Sequence, residues 1–229
     1  MKQSLDGLTA SQIAAGIATD IAAETQALPL RNTGSERAVL RKYAKKISGA
    51  QPELIFEIAS ELMAAHGFRW QAYELIGGHP GAFRRVGPAE LEAFGQGIDS
   101  WWSVDSFART LSGPAWRNGQ VPDAFILAWA YSPDLWWRRA ALVSTVAWNI
   151  RSKGGTGDVP RTLAVCRLLV ADHEDMVVKA MSWALRELVV HDPEAVRGFL
   201  REYAGILAAR VKREVQNKLN SGLKNPRKG

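Results

Sequence analysis

The sequence has very little of what most catalytic or disulfide-built frameworks need. It holds a single cysteine, Cys166, which has no partner for an internal disulfide and no neighbours for a thiolate metal site. That fits a reducing compartment, and a packed thiol is the expected role. Only four histidines are present, His66, His79, His173 and His191. They lie far apart with no Cys or paired carboxylate at ligand spacing, so no metal is expected. No apolar run approaches the length of a membrane span, and residues 1–30 lack a basic-then-apolar leader pattern. The expectation is a cytoplasmic protein with no membrane partner. Gly154-Gly155-Thr156-Gly157 lacks the following Lys-Ser/Thr of a phosphate loop and any preceding strand, so it reads as a turn. A Gly-x-Ser-x-Gly elbow is also missing.

What is present is an apolar, basic, tryptophan-rich chain. Hydrophobic residues make up 47% of the 229, enough to bury a large core. The net charge is +6, and it is unevenly spread. Residues 1–30 carry one Lys against three acids, whereas residues 196–229 carry nine Lys and Arg against Glu202 and Glu214. A basic C-terminal end points to a polyanion, nucleic acid ahead of membrane. Nine tryptophans exceed what a core of this size needs, and basic charge interleaved with exposed aromatics is a nucleic-acid signal.

No strand alternation is found. Helical spacing predicts a helix over 8–27 after a cap at Thr9, and a basic one from Ser35 to Lys46. Further helices follow from Pro52 to Gly67, over 68–76 and over 88–94. A central helix is expected over 98–111 and a loop at Gly113-Pro114. Later helices are expected over 122–130, from Ser132 to Trp148, over 160–170 and over 174–190, and a last pair runs from Pro193 to near Leu219. Helix pairs recur roughly every 35 to 45 residues, the period of HEAT-like repeats. The expected fold is all-α, with HEAT-like helical repeats stacked into a curved solenoid that offers a concave DNA-binding face. A single domain is expected over 1–219, with a basic, flexible tail over 220–229.

Three stretches carry candidate chemistry. In the central helix, Val104, Phe107, Ala108 and Leu111 form the buried stripe. Trp101 stands at its edge with Asp105 one turn later on the same face. An indole beside a carboxylate could hold a cation or a flat cationic ring. The structural alternative is a core Trp101 with Asp105 paired to Arg109, also at i, i+4. In the second stretch, Arg138 and Arg139 fall in the first turns of a helix, where a phosphate would suit both the cations and the helix N-terminus. A solvated or salt-bridged pair is the alternative. In the third, Trp183 lies off the core stripe and shares a face with Lys179 and Arg186, a surface suited to stacking or sugar contact.

Together, Ser100-Trp-Trp-Ser-Val-Asp-Ser106, Trp136-Trp-Arg-Arg-Ala-Ala141 and Lys179-Ala-Met-Ser-Trp-Ala-Leu-Arg-Glu187 resemble segments of the AlkD-type DNA alkylation-repair glycosylases. The resemblance runs in helix order over roughly 35–219. It implies a monofunctional glycosylase that excises cationic N-alkylated purines, such as 3-methyladenine and 7-methylguanine, from double-stranded DNA without a cofactor or base flipping. It further implies Asp105 as catalytic carboxylate, Trp101 and Trp183 as aromatic walls, and Arg139 as the DNA-contacting arginine of the cleft. Arg138, Lys179, Lys212 and Arg213 are expected to add phosphate contacts. A monomer is expected, associated with the nucleoid when bound to DNA. The alternative is a non-catalytic HEAT-like protein that binds damaged or distorted DNA, and the Trp101, Asp105 and Trp183 trio separates the two. A protein-binding scaffold fits the basic, tryptophan-rich surface less well.

Overall fold

The structure is a computed structural model that describes residues 7–26 and 33–226. All regular structure among these residues is helical. By packing, the chain divides into two compact units, residues 1–94 and 95–229.

The first unit contains α1 (Ala10–Gln26), α2 (Thr33–Lys46), α3 (Pro52–Ala64), α4 (Arg69–Gly78), α5 (Pro80–Arg84) and α6 (Pro88–Gly95). Thr9 and Gln12 cap α1 reciprocally, each side chain accepting the other's backbone N–H. Ile13, Ile17 and Ile21 of α1 are buried at helical spacing, and α1 packs on α2 and α3. The Tyr43 hydroxyl donates to Asp20 at 2.7 Å. Burial, then this contact, pushes the phenol up to about 12. α5 lies between the helices expected over 68–76 and 88–94, where Gly77-Gly78-His79-Pro80-Gly81 reads in sequence as a helix end. Pro80 is pre-set for a first helical turn, and the His79 ring accepts from the Ala82 N–H to cap it. In basic α2, Arg37 pairs with Glu74 at 2.6 Å and stands 5.4 Å over Trp70, while Lys42 pairs with Glu24.

The second unit holds α7 (Trp101–Phe107), a π-helical turn (Ala108–Ser112), α8 (Gly113–Arg117), α9 (Asp123–Trp129), α10 (Leu135–Asn149), α11 (Val159–Leu168), α12 (Asp175–Leu188), α13 (Pro193–Glu202) and α14 (Ala209–Ser221). α10 packs on α7, α8 and α12, and α12 packs on α14. α9, α11 and α13 lie against these from the side. The polar ties between successive inner helices span a nearly constant interval. Arg139 to Asp105 and Arg138 to Asp172 are 34 residues apart, Arg210 to Asp175 is 35, and Ser182 to Glu214 is 32. Such an interval is what a repeat architecture produces. Arg139 and Asp105 both sit in the second turn of their helices, and Arg210 and Asp175 both in the first. Along α7 and its π turn the contacts advance from Asp105–Arg139 to Ser112–Ser144, and along α12 from Asp175–Arg210 to Ser182–Glu214, so α7 runs parallel to α10 and α12 parallel to α14. No helix among the described residues is long and apolar enough to cross a membrane.

The expected loop at Gly113-Pro114 is instead continuous helix, a correction with a physical cause. Pro114 has no N–H, and in a regular helix its ring would collide with the carbonyl four residues back. The wider π turn directly before it removes that collision, and the Gly113 N–H donates to the Ala108 carbonyl five residues back. Gly113 also lies against α10. A Cβ there would meet the Ser144 carbonyl oxygen at 2.7 Å and the Ala147 Cβ at 2.8 Å. The neighbouring Ser112 and Ser144 hydroxyls lie 2.7 Å apart in the same dry seam. Gly113→Ala is expected to lower stability by about 1–3 kcal/mol through overpacking, read as a lower thermal midpoint. An unchanged midpoint would mean that the seam opens at no cost.

The turn at residues 154–157 is a turn here as well. Gly157 has φ +94° and packs its Cα face on the His191 ring, leaving no room for a side chain. Cys166 is fully buried, and burial pushes its thiol up to about 12. Beyond α14, Gly222 adopts a left-handed cap conformation and Lys224 reaches back to within 3.5 Å of Glu214. Residues 227–229 of the expected tail lie outside the described residues.

Candidate active site

The site is built from the first turns of α7 outward. Ser100, not Ile98, starts the helix. Its hydroxyl accepts from the Ser103 N–H at 3.3 Å while the Ser103 hydroxyl accepts from the Ser100 N–H at 3.1 Å. This box fixes Trp101 at the first helical position. Trp101 is 51% exposed and Trp102 47%, and their rings meet edge to face at 5.5 Å. Exposure at these two neighbours is a strong feature, because an indole left in water forfeits most of its burial energy.

Asp105 follows one turn later. Both of its oxygens are taken by one guanidinium: Arg139 Nε donates to Oδ1 and Nη2 to Oδ2, each at 2.9 Å. Arg139 Nη1 donates to the Met176 carbonyl. One side chain thus ties α7, α10 and α12 together around the carboxylate. Burial raises the Asp105 carboxyl above the usual carboxylate range, opposed first by the Arg139 hydrogen bonds and charge and then by Arg109.

Two expectations change at this point. Asp105 is held by Arg139 from the next inner helix rather than by Arg109 one turn along its own. Arg139 itself, expected at a DNA phosphate, is only 5% exposed with its donors turned to Asp105 and Met176, which makes it a partner of the carboxylate. Arg138 is committed in the same way. Its Nε donates to Asp172 at 2.7 Å, and Nη1 donates to the Ser132 and Pro133 carbonyls. The salt-bridged alternative for this pair is the geometry observed.

Trp183, on α12, is half-buried. Its indole N–H donates to Glu187 Oε1 at 2.9 Å, one turn on, and the Arg109 guanidinium stands 5.6 Å over its ring. Arg109 acts on the Asp105 carboxyl as well as on Trp183, so the carboxylate and this second indole border a common cation. Lys179 pairs with Asp175 at 2.7 Å. Lys212 donates to the Ala204 carbonyl, and Arg213 is exposed on α14. Buried Glu214 accepts from Ser182 at 2.6 Å and lies 3.7 Å from Arg210 and 3.5 Å from Lys224. Part of the basic C-terminal charge is therefore neutralised within the protein.

The tryptophans divide sharply. Trp116 and Trp129 are buried, Trp137 packs with Phe107 and Trp129, and Trp148 meets Trp116 edge to face. The aromatic surface that composition suggested narrows mainly to Trp101 and Trp102. Glu187 and Asp172 were not singled out from sequence. Glu187 was legible as the i, i+4 neighbour of Trp183, whereas Asp172, 34 residues from Arg138, carried no local signal.

The family model described as DNA alkylation repair enzyme matches residues 2–219. The chain belongs to that family. A solved structure of a predicted DNA alkylation repair enzyme from Enterococcus faecalis is similar in fold, with a TM-score of 0.68 at 17% identity. That likeness covers 91% of this chain and 95% of the other. A search of the curated proteins finds no match.

Proposed function

We propose that the protein is a monofunctional DNA glycosylase that hydrolyses the N-glycosidic bond of cationic N-alkylated purines in duplex DNA. The observation that carries this reading is the carboxylate of Asp105, oriented by two Arg139 hydrogen bonds one helical turn from the exposed face of Trp101. Alkylation at a ring nitrogen leaves the purine positively charged, and breaking its bond to C1′ releases a neutral base. The charge passes to C1′ and O4′ of the deoxyribose as an oxocarbenium-like species. Asp105 stabilises that charge and orients the water that adds at C1′, taking up its proton. A carboxyl whose pKa burial has raised is the better proton acceptor. The exposed face of Trp101 strengthens its contact as the sugar becomes cationic, with half-buried Trp183 as the second aromatic wall. An exposed aromatic wall one turn from a partly buried carboxylate asks for no deep pocket, which fits excision without base flipping.

A second reading is a non-catalytic protein that binds damaged DNA. The observation that favours it is the same ion pair, since Arg139 occupies both Asp105 oxygens. Release of free base from methylated duplex DNA decides between the two. Liberated 7-methylguanine or 3-methyladenine is expected, and salt-dependent binding without release would leave the binding protein. In either case Lys212→Ala with Arg213→Ala is expected to weaken binding alike on damaged and undamaged duplex. The slope of log affinity against log salt should fall by up to about two. An unchanged slope would remove α14 from the DNA footprint.

A further inference from the structure

A duplex engaged at Asp105 must have its nearest phosphates held, and three of the cations first expected to do so, Arg138, Arg139 and Lys179, are committed elsewhere. Arg139 is buried on Asp105, Arg138 is bonded to Asp172 and two carbonyls, and Lys179 pairs with Asp175. Arg186, half-buried, donates through Nε to the Ser182 hydroxyl at 3.2 Å. Arg109 differs from all of these. It is exposed, lies one turn beyond Asp105, and stands with its guanidinium carbon 5.6 Å from the centre of the Trp183 ring.

Two features fix that placement. The π turn that begins at Ala108 carries Arg109 at its second residue, so the wider turn sets where its side chain leaves the helix. Trp183 is itself held by Glu187, one turn on along α12. A guanidinium held at an indole by cation–π attraction engages the ring through its charge, which leaves N–H donors able to meet the two oxygens of a phosphate. Stacking also removes rotamer freedom before the anion arrives, which lowers the cost of binding it.

We propose that Arg109, held on Trp183, is the phosphate-positioning residue of this site, contacting the DNA backbone beside the nucleotide that faces Asp105. The assignment rests on the reading that the site takes duplex DNA. Trp183 then has two tasks, one toward the sugar and one as the platform for Arg109. The local arrangement also explains why Arg109 acts on Asp105 through its charge and not through a direct pair. The carboxylate oxygens are filled by Arg139, and Arg109 is drawn to the ring.

The test uses the full-length protein and a labelled duplex carrying one tetrahydrofuran abasic site, so that binding is read without chemistry. Affinity is measured for wild type, Arg109→Gln and Arg109→Lys between about 50 and 200 mM salt. Arg109→Gln is expected to bind about tenfold more weakly, with the log–log salt slope smaller by about one. Arg109→Lys is expected to keep the slope and recover only part of the affinity, since an ammonium cannot match a fork-like contact. In a Trp183→Leu background the effect of Arg109→Gln should shrink, because the platform is gone. An unchanged slope overturns the proposal. Tighter binding by Arg109→Gln also overturns it and makes Arg109 a plug over the ring. Base release from methylated duplex is read separately. A slope change without release would overturn the glycosylase reading and leave the phosphate contact standing, whereas release with no slope change would remove Arg109 alone.

Discussion

Asp105→Asn is expected to lower the rate of base release by about 10²–10³-fold, the usual cost of removing one fixed electrostatic stabiliser of a charged transition state. Duplex binding should survive, because Asp105 faces the reacting sugar rather than a phosphate. Asparagine nearly matches the shape but offers Arg139 one neutral acceptor in place of two charged ones. A loss of about 1–3 kcal/mol in stability is expected with it. That leaves a protein of ordinary stability folded. The pH profile carries a second signature. Release needs the ionised carboxylate, so the wild-type rate should rise with pH through a midpoint above the ordinary aspartate value, because burial raises this group. The variant should lack that limb. Stability moves the other way, since a folded-state pKa above the unfolded one means that the folded state holds the proton more tightly. The Asp105 contribution is thus most favourable below the unfolded value and is lost as pH rises through the raised one. If Asp105→Asn releases base at the wild-type rate, Asp105 is not the reacting carboxylate.

The parts of this molecule that sequence revealed are those encoded locally. The Thr9 cap, the proline starts at Pro52 and Pro193 and the isoleucine stripe of α1 all act within a few residues, and helices stand at each. Trp101 and Asp105 were legible as a pair for the same reason, one turn apart on one helix, although the Ser100 cap that starts it was not read. α5 and α8 were hidden because glycine and proline read as breakers. In α8 that reading fails because the preceding π turn makes room for Pro114 and the α10 seam requires Gly113. The roles of the arginines could not be read locally at all. The spacing of Arg109 favoured a pair with Asp105. The partner that prevailed comes from α10, 34 residues away, where burial makes two parallel hydrogen bonds worth more than a solvent-exposed neighbour. The repeat itself brings such distant pairs together, and only its approximate period was visible in the sequence.

Arg139→Met should have the largest effect on stability. It removes the hydrogen-bond partner of both oxygens of a carboxylate whose side chain is 19% exposed, and it leaves only the more distant charge of Arg109 to offset it among the described residues. Breaking one side of such a pair costs about 3–5 kcal/mol. For a chain of this size that lowers the thermal midpoint by roughly 10 °C. Asp105 loses its principal charge-stabilising contacts, so its pKa should rise further and the acid limb of any remaining activity should move to higher pH. The double replacement Asp105→Leu with Arg139→Met separates support from chemistry. Two apolar groups of similar volume should recover most of the lost stability, because neither buried charge then remains. Base release should stay absent. A double variant as unstable as Arg139→Met would mean that the tie to the Met176 carbonyl, rather than the ion pair, holds α7, α10 and α12 together. Recovery of the fold without recovery of release would give Arg139 the role of keeping one charged carboxylate ionised and aimed at the surface where Trp101 is exposed.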